Sequence, residues 1–381
     1  MAIMSQWTLL RQHLHKYPEL SGQESATAGY ILEQFAQFNP DRTYMNLGGA
    51  GVAFCFDAKE PGPNVLFRSE LDALPIQEIN SFAHRSVNHG VSHKCGHDGH
   101  MTILMALAAE VVENLPKKGS VTFLFQPAEE TGEGAIAVVA DSQFEQFYPD
   151  YCFALHNLPG HPLGDVLIRK GSFNCASRGM TIKLNGRTAH AAYPESGISP
   201  ALALSELMQS LPPLAATLQS DQLIMLTLIH CSMGEEAFGT AAGAGKLLVT
   251  LRSETNQGMA LLIDQVTEKV EKIAARDKLS VTIEWQDVFQ ASVNDDECAE
   301  RVANAANHCG NKVIWLDEPL RWSEDFGALS QTAKGAMFAF GAGIDLPQIH
   351  NPDYDFPDQL ISQGRDIFFK IYSDLLLQDK P

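Results

Sequence analysis

Residues 100–115, HMTILMALAAEVVENL, are apolar nearly all round a helical wheel, and Pro116 lies just past their end. Such a helix has no face to offer to water and must be covered on every side. Short apolar runs flank it: GVAFCF (51–56), NVLFRS (64–69), VTFLFQ (121–126) and YCFALH (151–156). The last two show no polar alternation, the mark of strands buried on both faces. Strands and helices in this alternation predict a three-layer α/β domain around a mostly parallel sheet.

From about residue 178 the rhythm changes. MTIKLNG reads as a strand and SPALALSELMQSL (199–211) as a helix, followed by strands in QLIMLTLIHC and KLLVTLRS. QGMALLIDQVTEKVEKIAARD then repeats apolar residues at Leu262, Val266, Val270 and Ile273, a helical spacing, before a last strand, LSVTIEWQDVF. The order β-α-β-β-α-β is that of a ferredoxin-like α+β unit. After it the α/β pattern returns in DDECAERVANAANHCG and AMFAFGAG. The expected organisation is one α/β domain in two segments, 1–177 and 291–381, interrupted by a small domain at 178–290. A chain of 381 residues with 45% hydrophobic and 19% charged residues can fill both cores.

The net charge of −19 argues against a nucleic-acid or anionic-membrane partner, since like charges repel. The opening MAIMSQWTLLRQHLHKYPEL reads as an amphipathic helix without the features of a secretory signal. Seven cysteines, Cys55, Cys95, Cys152, Cys175, Cys231, Cys298 and Cys309, are odd in number and form no CxxC pair. They read as reduced thiols, so a cytoplasmic location is expected.

Open α/β sheets bind ligands at the carboxyl ends of their strands. Here those ends carry Glu129 and Glu130 after VTFLFQP, His156 after YCFAL, and His350 after AMFAFGAGIDLPQI. HKCGHDGHM (93–101), with Cys95 and His97, opens the apolar helix. Each residue alone has an ordinary reading. A free cysteine is usually a small buried hydrophobe, paired glutamates a solvated face, and a single histidine a satisfied core or surface residue. His93 and His100 read as caps or decoration of a helix start. Cys95 and His97 can share a site only if the turn before the helix is extended, which Gly96 permits.

The segments RQHLHKYPELSGQE, RSELDALPIQE, HKCGHDGHM, FLFQPAEETGEGA, FALHNLPG, NGRTAHAAYP, SEDFG and IHNPDYDF occur in that order. Together they resemble the amidohydrolase branch of the aminoacylase and carboxypeptidase metallohydrolases, which includes N-acyl-amino-acid amidohydrolases, hippurate hydrolases and auxin-conjugate hydrolases. The likeness covers nearly the whole chain. It implies a two-metal centre held by Cys95, His97, Glu130, His156 and His350, with Cys95 in the place of a bridging thiolate. It makes Glu129 the general base and His190 an oxyanion-stabilising residue, often supplied by the partner subunit. Asp98 and Asp72 are candidates to fix the tautomer of a metal-bound imidazole. For Asp72 a turn-capping role before Pro75 weighs equally. The inserted domain is expected to act as a lid and dimerisation domain, giving a homodimer. Zinc, cobalt and nickel suit such a donor set, and manganese less well.

The expected activity is amide hydrolysis on N-acyl amino acids or small peptide-like substrates. A dipeptidase or carboxypeptidase of the same family, a non-catalytic metal-binding protein and a redox thiol at Cys95 are the competing readings. The chain departs from the family pattern in three places. RSELDALP stands where RADMDALP is usual, making residue 70 glutamate. Ser199 stands where aspartate is frequent, and AFGTAAGAGKLLVTLRS replaces a segment that usually carries NVIP, which leaves Phe238–Thr240 in place of an asparagine. These changes bear on substrate choice rather than on the metal centre.

Overall fold

The computed structural model describes residues 5–218 and 222–378. The first four residues of the expected N-terminal helix lie outside this range. The helix itself runs Gln6–Lys16, with the Ser5 hydroxyl accepting from the Thr8 amide as its cap.

The chain divides into two compact units. The larger comprises Met1–Phe173, Ser292–Pro319 and Asp325–Pro381. Its eight-stranded sheet has the order Arg42–Leu47, Gly51–Asp57, Lys118–Gln126, Glu60–Glu70, Tyr151–Pro159, Lys334–Gly343, Val166–Ile168, Val313–Trp315. The four strands from Lys118–Gln126 to Lys334–Gly343 are mutually parallel. The two strands before them form an antiparallel hairpin edge, of which the sequence announced Gly51–Asp57 but not Arg42–Leu47.

Alternate strand residues explain the layers. Val65, Phe67, Val121, Phe123, Phe125, Phe338 and Phe340 join one apolar cluster with helix residues Leu14, Ile103, Leu107, Val302 and Phe368. The intervening Leu66, Leu124, Met337 and Ala339 are buried as well, so both sheet faces are covered. The all-apolar segment forms the helix His97–Glu113, every residue of which from His97 to Ala108 is buried. Mixed α/β architecture with a large, mostly parallel central sheet is therefore the fold.

The second unit comprises Asn174–Ala291 and Leu320–Glu324. Its antiparallel sheet has the order Ile224–Met233, Ala244–Ser253, Ala176–Asn185, Ser280–Phe289. Helices Ala201–Leu218 and Asn256–Arg276 share a core with it through Leu204, Leu207, Leu211, Leu262 and Val266. The first helix passes beyond the expected Leu211, straight through Pro212 and Pro213. Proline normally disrupts a helix interior. Here Ala215, buried in the same core, draws the next turn along. No helix among the described residues is long and apolar enough to cross a membrane.

Candidate metal centre

The centre lies in the larger unit, where the parallel strands end. Cys95 and His97 flank Gly96, whose φ of +101° bends the chain sharply before the helix. The turn is left-handed rather than extended. A Cβ at position 96 would collide with Asn157 Oδ1, so both the conformation and the space require glycine.

Several sets of donor atoms meet here, two of which share Cys95. Cys95, His97 and His156 offer ligand atoms within 4.8 Å of one another, and so do Cys95, Glu130 and His350. Cys95 belongs to both. Its Sγ lies 3.2 Å from His156 Nε2. His350 Nε2 lies 3.8 Å from Glu130 Oε2, and His97 Nε2 lies 3.9 Å from Glu130 Oε1. Glu129 stands beside the first set, its Oε2 3.8 Å from His97 Nε2.

The imidazoles are oriented from behind. His97 Nδ1 donates to the Asp72 backbone carbonyl at 2.8 Å, and Asp72 Oδ1 lies 3.4 Å away. His156 Nδ1 donates to the Asn157 carbonyl at 2.8 Å. Both rings thus turn Nε2 toward Cys95 and the glutamates. His97 Nε2 is buried and has no hydrogen-bond partner. An orphaned buried nitrogen facing two carboxylates and a thiol fits a cation. Sulfur, nitrogen and oxygen donors in two triads sharing one sulfur are a set that a pair of divalent ions can occupy.

The electrostatics point the same way. Burial opposes a charged ring, yet the Asp72 hydrogen bond and the charges of Glu70, Asp72 and Glu130 push His97 up to about 10. Burial, with Glu130 and Glu129 nearby, drives the Cys95 thiol well above its ordinary range. Burial holds His156 neutral, well below its usual value. The negative field favours positive charge, which a dication would supply.

Segment 127–134 carries the two glutamates. Ala128 sits at φ +50°, and Gly132 and Gly134 donate to the carbonyls of Glu129 and Ala128. His350 is left-handed too, at φ +67°, with its amide donating to the Lys94 carbonyl at 2.7 Å. That bond places it beside Cys95.

Other expectations need correction. Asp98 touches neither His97 nor His156. Neighbouring side chains on a helix point apart, and its carboxylate instead accepts from His15 Nδ1 at 2.9 Å and pairs with Arg11 at 3.2 Å. His93 and His100 do not decorate a surface, because both are buried. His100 Nδ1 meets Glu70 Oε2, and its Nε2 meets Asn157 Oδ1, each at 2.6 Å. The extra methylene of Glu70 spans that gap, while Arg68 pairs with Glu70 from the strand. For Asp72 the contacts are with His97, Ser21 and Glu130 rather than with a turn before Pro75. His190 belongs to the second unit, on the short strand Ala189–His190 opposite Thr240–Ala241, with an exposed ring. Phe238 in the altered segment is fully exposed.

Sequence reasoning also missed a buried network on the far side of residues 93–98. Arg11 pairs with Asp98, Asp355 and Asp358. His15 bridges Asp98 and Glu78, and Lys94 Nζ binds Glu78 at 2.5 Å. His15, Asp98 and Asp355 are close enough to hold an ion. Arg11 and His15 already supply the positive charge there. The available signal was a pair of basic residues, four apart, on the buried side of the first helix.

Comparison with known proteins gives the geometry a family context. The model of peptidase family M20/M25/M40 matches residues 66–374. Hippurate hydrolase of Campylobacter jejuni is 28% identical over 97% of this chain and 96% of its own. N-acetyldiaminopimelate deacetylase of Lactobacillus helveticus is 29% identical, covering 96% of each chain. The crystal structure of Bacillus subtilis YxeP, described as a dinuclear metal binding peptidase, matches with a TM-score of 0.83 at 22% identity over 98% of both chains.

Proposed function

The chain belongs to the M20/M25/M40 peptidase family, and from that premise we propose that it is a metal-dependent amidohydrolase that cleaves N-acyl amino acids or small peptide-like amides. The relatives named for hydrolysis of hippurate and removal of an acetyl group support an enzyme acting on linear amide bonds. The observation that carries the reading is the pair of donor triads sharing Cys95 Sγ, with Glu129 beside them.

Cys95, His97 and His156 would hold one divalent ion and Cys95, Glu130 and His350 the other. Bound there, the ions would supply Lewis acidity and bring the pKa of a water toward neutrality. The remaining work falls to side chains. Glu129, nearly buried, takes the proton of the attacking water and delivers it to the leaving nitrogen. Asp72 and the Asn157 carbonyl hold His97 and His156 in the tautomer that leaves Nε2 bare. The family resemblance, rather than any contact within this chain, assigns His190 as donor to the developing oxyanion, often from the partner subunit, and removing one such donor typically lowers the rate about 100- to 1,000-fold.

Assembly as a homodimer through the second unit fits its outer strand Ile224–Met233, where Leu228, Ile229 and Met233 are exposed. An uncovered apolar edge strand calls for a partner. Dipeptidase or carboxypeptidase activity differs only in the pocket, and the altered segment with Phe238 bears on it.

The test is amine release from a panel of N-acyl amino acids and dipeptides, with protein reloaded in turn with zinc, cobalt, nickel and manganese. Metal-dependent release is expected, and Glu129→Gln is expected to lower it about 100- to 10,000-fold while two metals per chain remain bound. Turnover in Glu129→Gln equal to the parent would sink the general-base assignment. Silence of the parent across the panel, with both metals bound, would sink the hydrolase reading.

A further inference from the structure

The segment PELSGQE, 18–24, has no part in the chemistry described so far. We infer that it is a clamp on the catalytic turn, and that Glu24 is the positioning residue that aims Glu129. The inference rests on the reading of Glu129 as general base.

The observations are local and mutually consistent. Glu24 is fully buried, at the start of the helix Ser25–Phe35. Its Oε1 accepts from the amide of Ala128 at 2.8 Å and from that of Gly22 at 2.9 Å. Ala128 is the left-handed residue immediately before Glu129. An L-residue with a Cβ resists that conformation and keeps it only where the surroundings enforce it. Glu24 is one such restraint, since its carboxylate fixes the direction of the Ala128 N–H. The carbonyl of Ala128 is tied to the Gly134 amide, where a Cβ would collide with the Pro127 oxygen.

The other side of Glu129 is held from the same segment. Ser21 Oγ donates to Asp72 Oδ2 at 2.7 Å, and that oxygen also accepts from the Glu130 amide at 3.0 Å. The segment is itself pinned to Ala73, whose amide donates to the Glu19 carbonyl at 2.8 Å. Glu19 in turn caps Thr27 through its side chain. One carboxylate therefore holds the residue before Glu129 and another holds the residue after it. Both are organised by residues 19–24. A base that moves a proton between a water and a leaving nitrogen needs that restraint, since a displacement of about 1 Å can lower a rate about 100-fold.

Substitutions separate aim from scaffold. Glu24→Ala removes the acceptor and should lower kcat about 10- to 100-fold, with KM within twofold and two metals per chain retained. Glu24→Gln keeps an acceptor oxygen and should retain most of kcat. Glu24→Asp falls a methylene short of Ala128 and reads the same contact should the alanine variant not accumulate. In a Glu129→Gln background, Glu24→Ala should lower the residual rate no further, because the two act as one unit. An additive loss in the double variant, or metal loss parallel to the fall in kcat, would assign Glu24 to general stability and overturn the inference. Unchanged kcat in Glu24→Ala with Glu129→Gln inactive would overturn the clamp alone. Full turnover in Glu129→Gln overturns the base reading and the clamp together.

Discussion

His97 and Asp98 are neighbours in the chain, yet they serve two buried polar regions of opposite character. Around Asp98 every carboxylate has a cationic partner within the protein: Arg11, His15 and Lys94 stand against Asp98, Glu78, Asp355 and Asp358. Around His97 the donors are Cys95, Glu70, Glu129 and Glu130, and His97 Nε2 stays without a hydrogen-bond partner. Buried charge persists only when paired or bound to a cation. The first region carries its own cations. The second requires something added, and that difference separates a structural ion network from a site for chemistry.

The comparison can be broken by experiment. The largest effect is expected in the region around Asp98. Arg11→Met leaves Asp98 partly uncompensated and should lower unfolding stability by about 3–5 kcal/mol, read by urea denaturation. The folded fraction should keep its metal, and loss of metal in step with stability would show that the two regions are not separate. Next, Cys95→Ser removes the donor common to both triads. Metal affinity measured by competition with a chelator should fall beyond the roughly 10- to 100-fold typical of an outer partner, with stability of the metal-free chain little changed. Asp72→Asn keeps the backbone bond to His97 but removes the charge behind it, and should weaken metal binding within that same 10- to 100-fold range.

The smallest effect is a pH dependence that differs between the regions. His15 is buried, yet its bonds to Asp98 and Glu78 raise it to about 9. A raised histidine contributes stability that is complete below its unfolded value of about 6.5 and is lost as pH climbs through 9. In metal-loaded protein this should be the alkaline slope, absent in His15→Gln. In metal-free protein His97, pushed up to about 10, adds a second and higher loss. Metal binding must displace the protons on His97 and Cys95, so apparent affinity should fall as pH falls. Affinity independent of pH would contradict that account.

The parts of the fold legible in the sequence are those written in local pattern. Continuous apolar runs marked strands covered on both faces, and the all-apolar run marked the helix they cover. The hairpin strand Arg42–Leu47 escaped notice because its burial is intermittent, with an exposed Met45. The candidate ligands were legible because cysteine, histidine and glutamate stand out at strand ends. Their supports were not. Asp98 meets His15 and Arg11 across more than eighty residues of chain, and no local spacing announces that. His100 resembled a helix decoration until Glu70 and Asn157 closed on its two nitrogens. Glu24 looked like a helix-start residue, and only the left-handed Ala128 gives its carboxylate a task.

The strand Lys334–Gly343 lies inside the sheet, between Tyr151–Pro159 and Val166–Ile168, and leads on to His350. A ribosome delivers this strand after every other strand of the sheet. Until it emerges, Tyr151–Pro159 offers an open parallel edge, and pairings so distant in sequence close slowly. The second unit, almost all of it within residues 174–291, can complete its own sheet while the larger one waits. In chain order the second unit can thus close its own sheet before the larger unit receives its last strand and, after it, the candidate ligand His350.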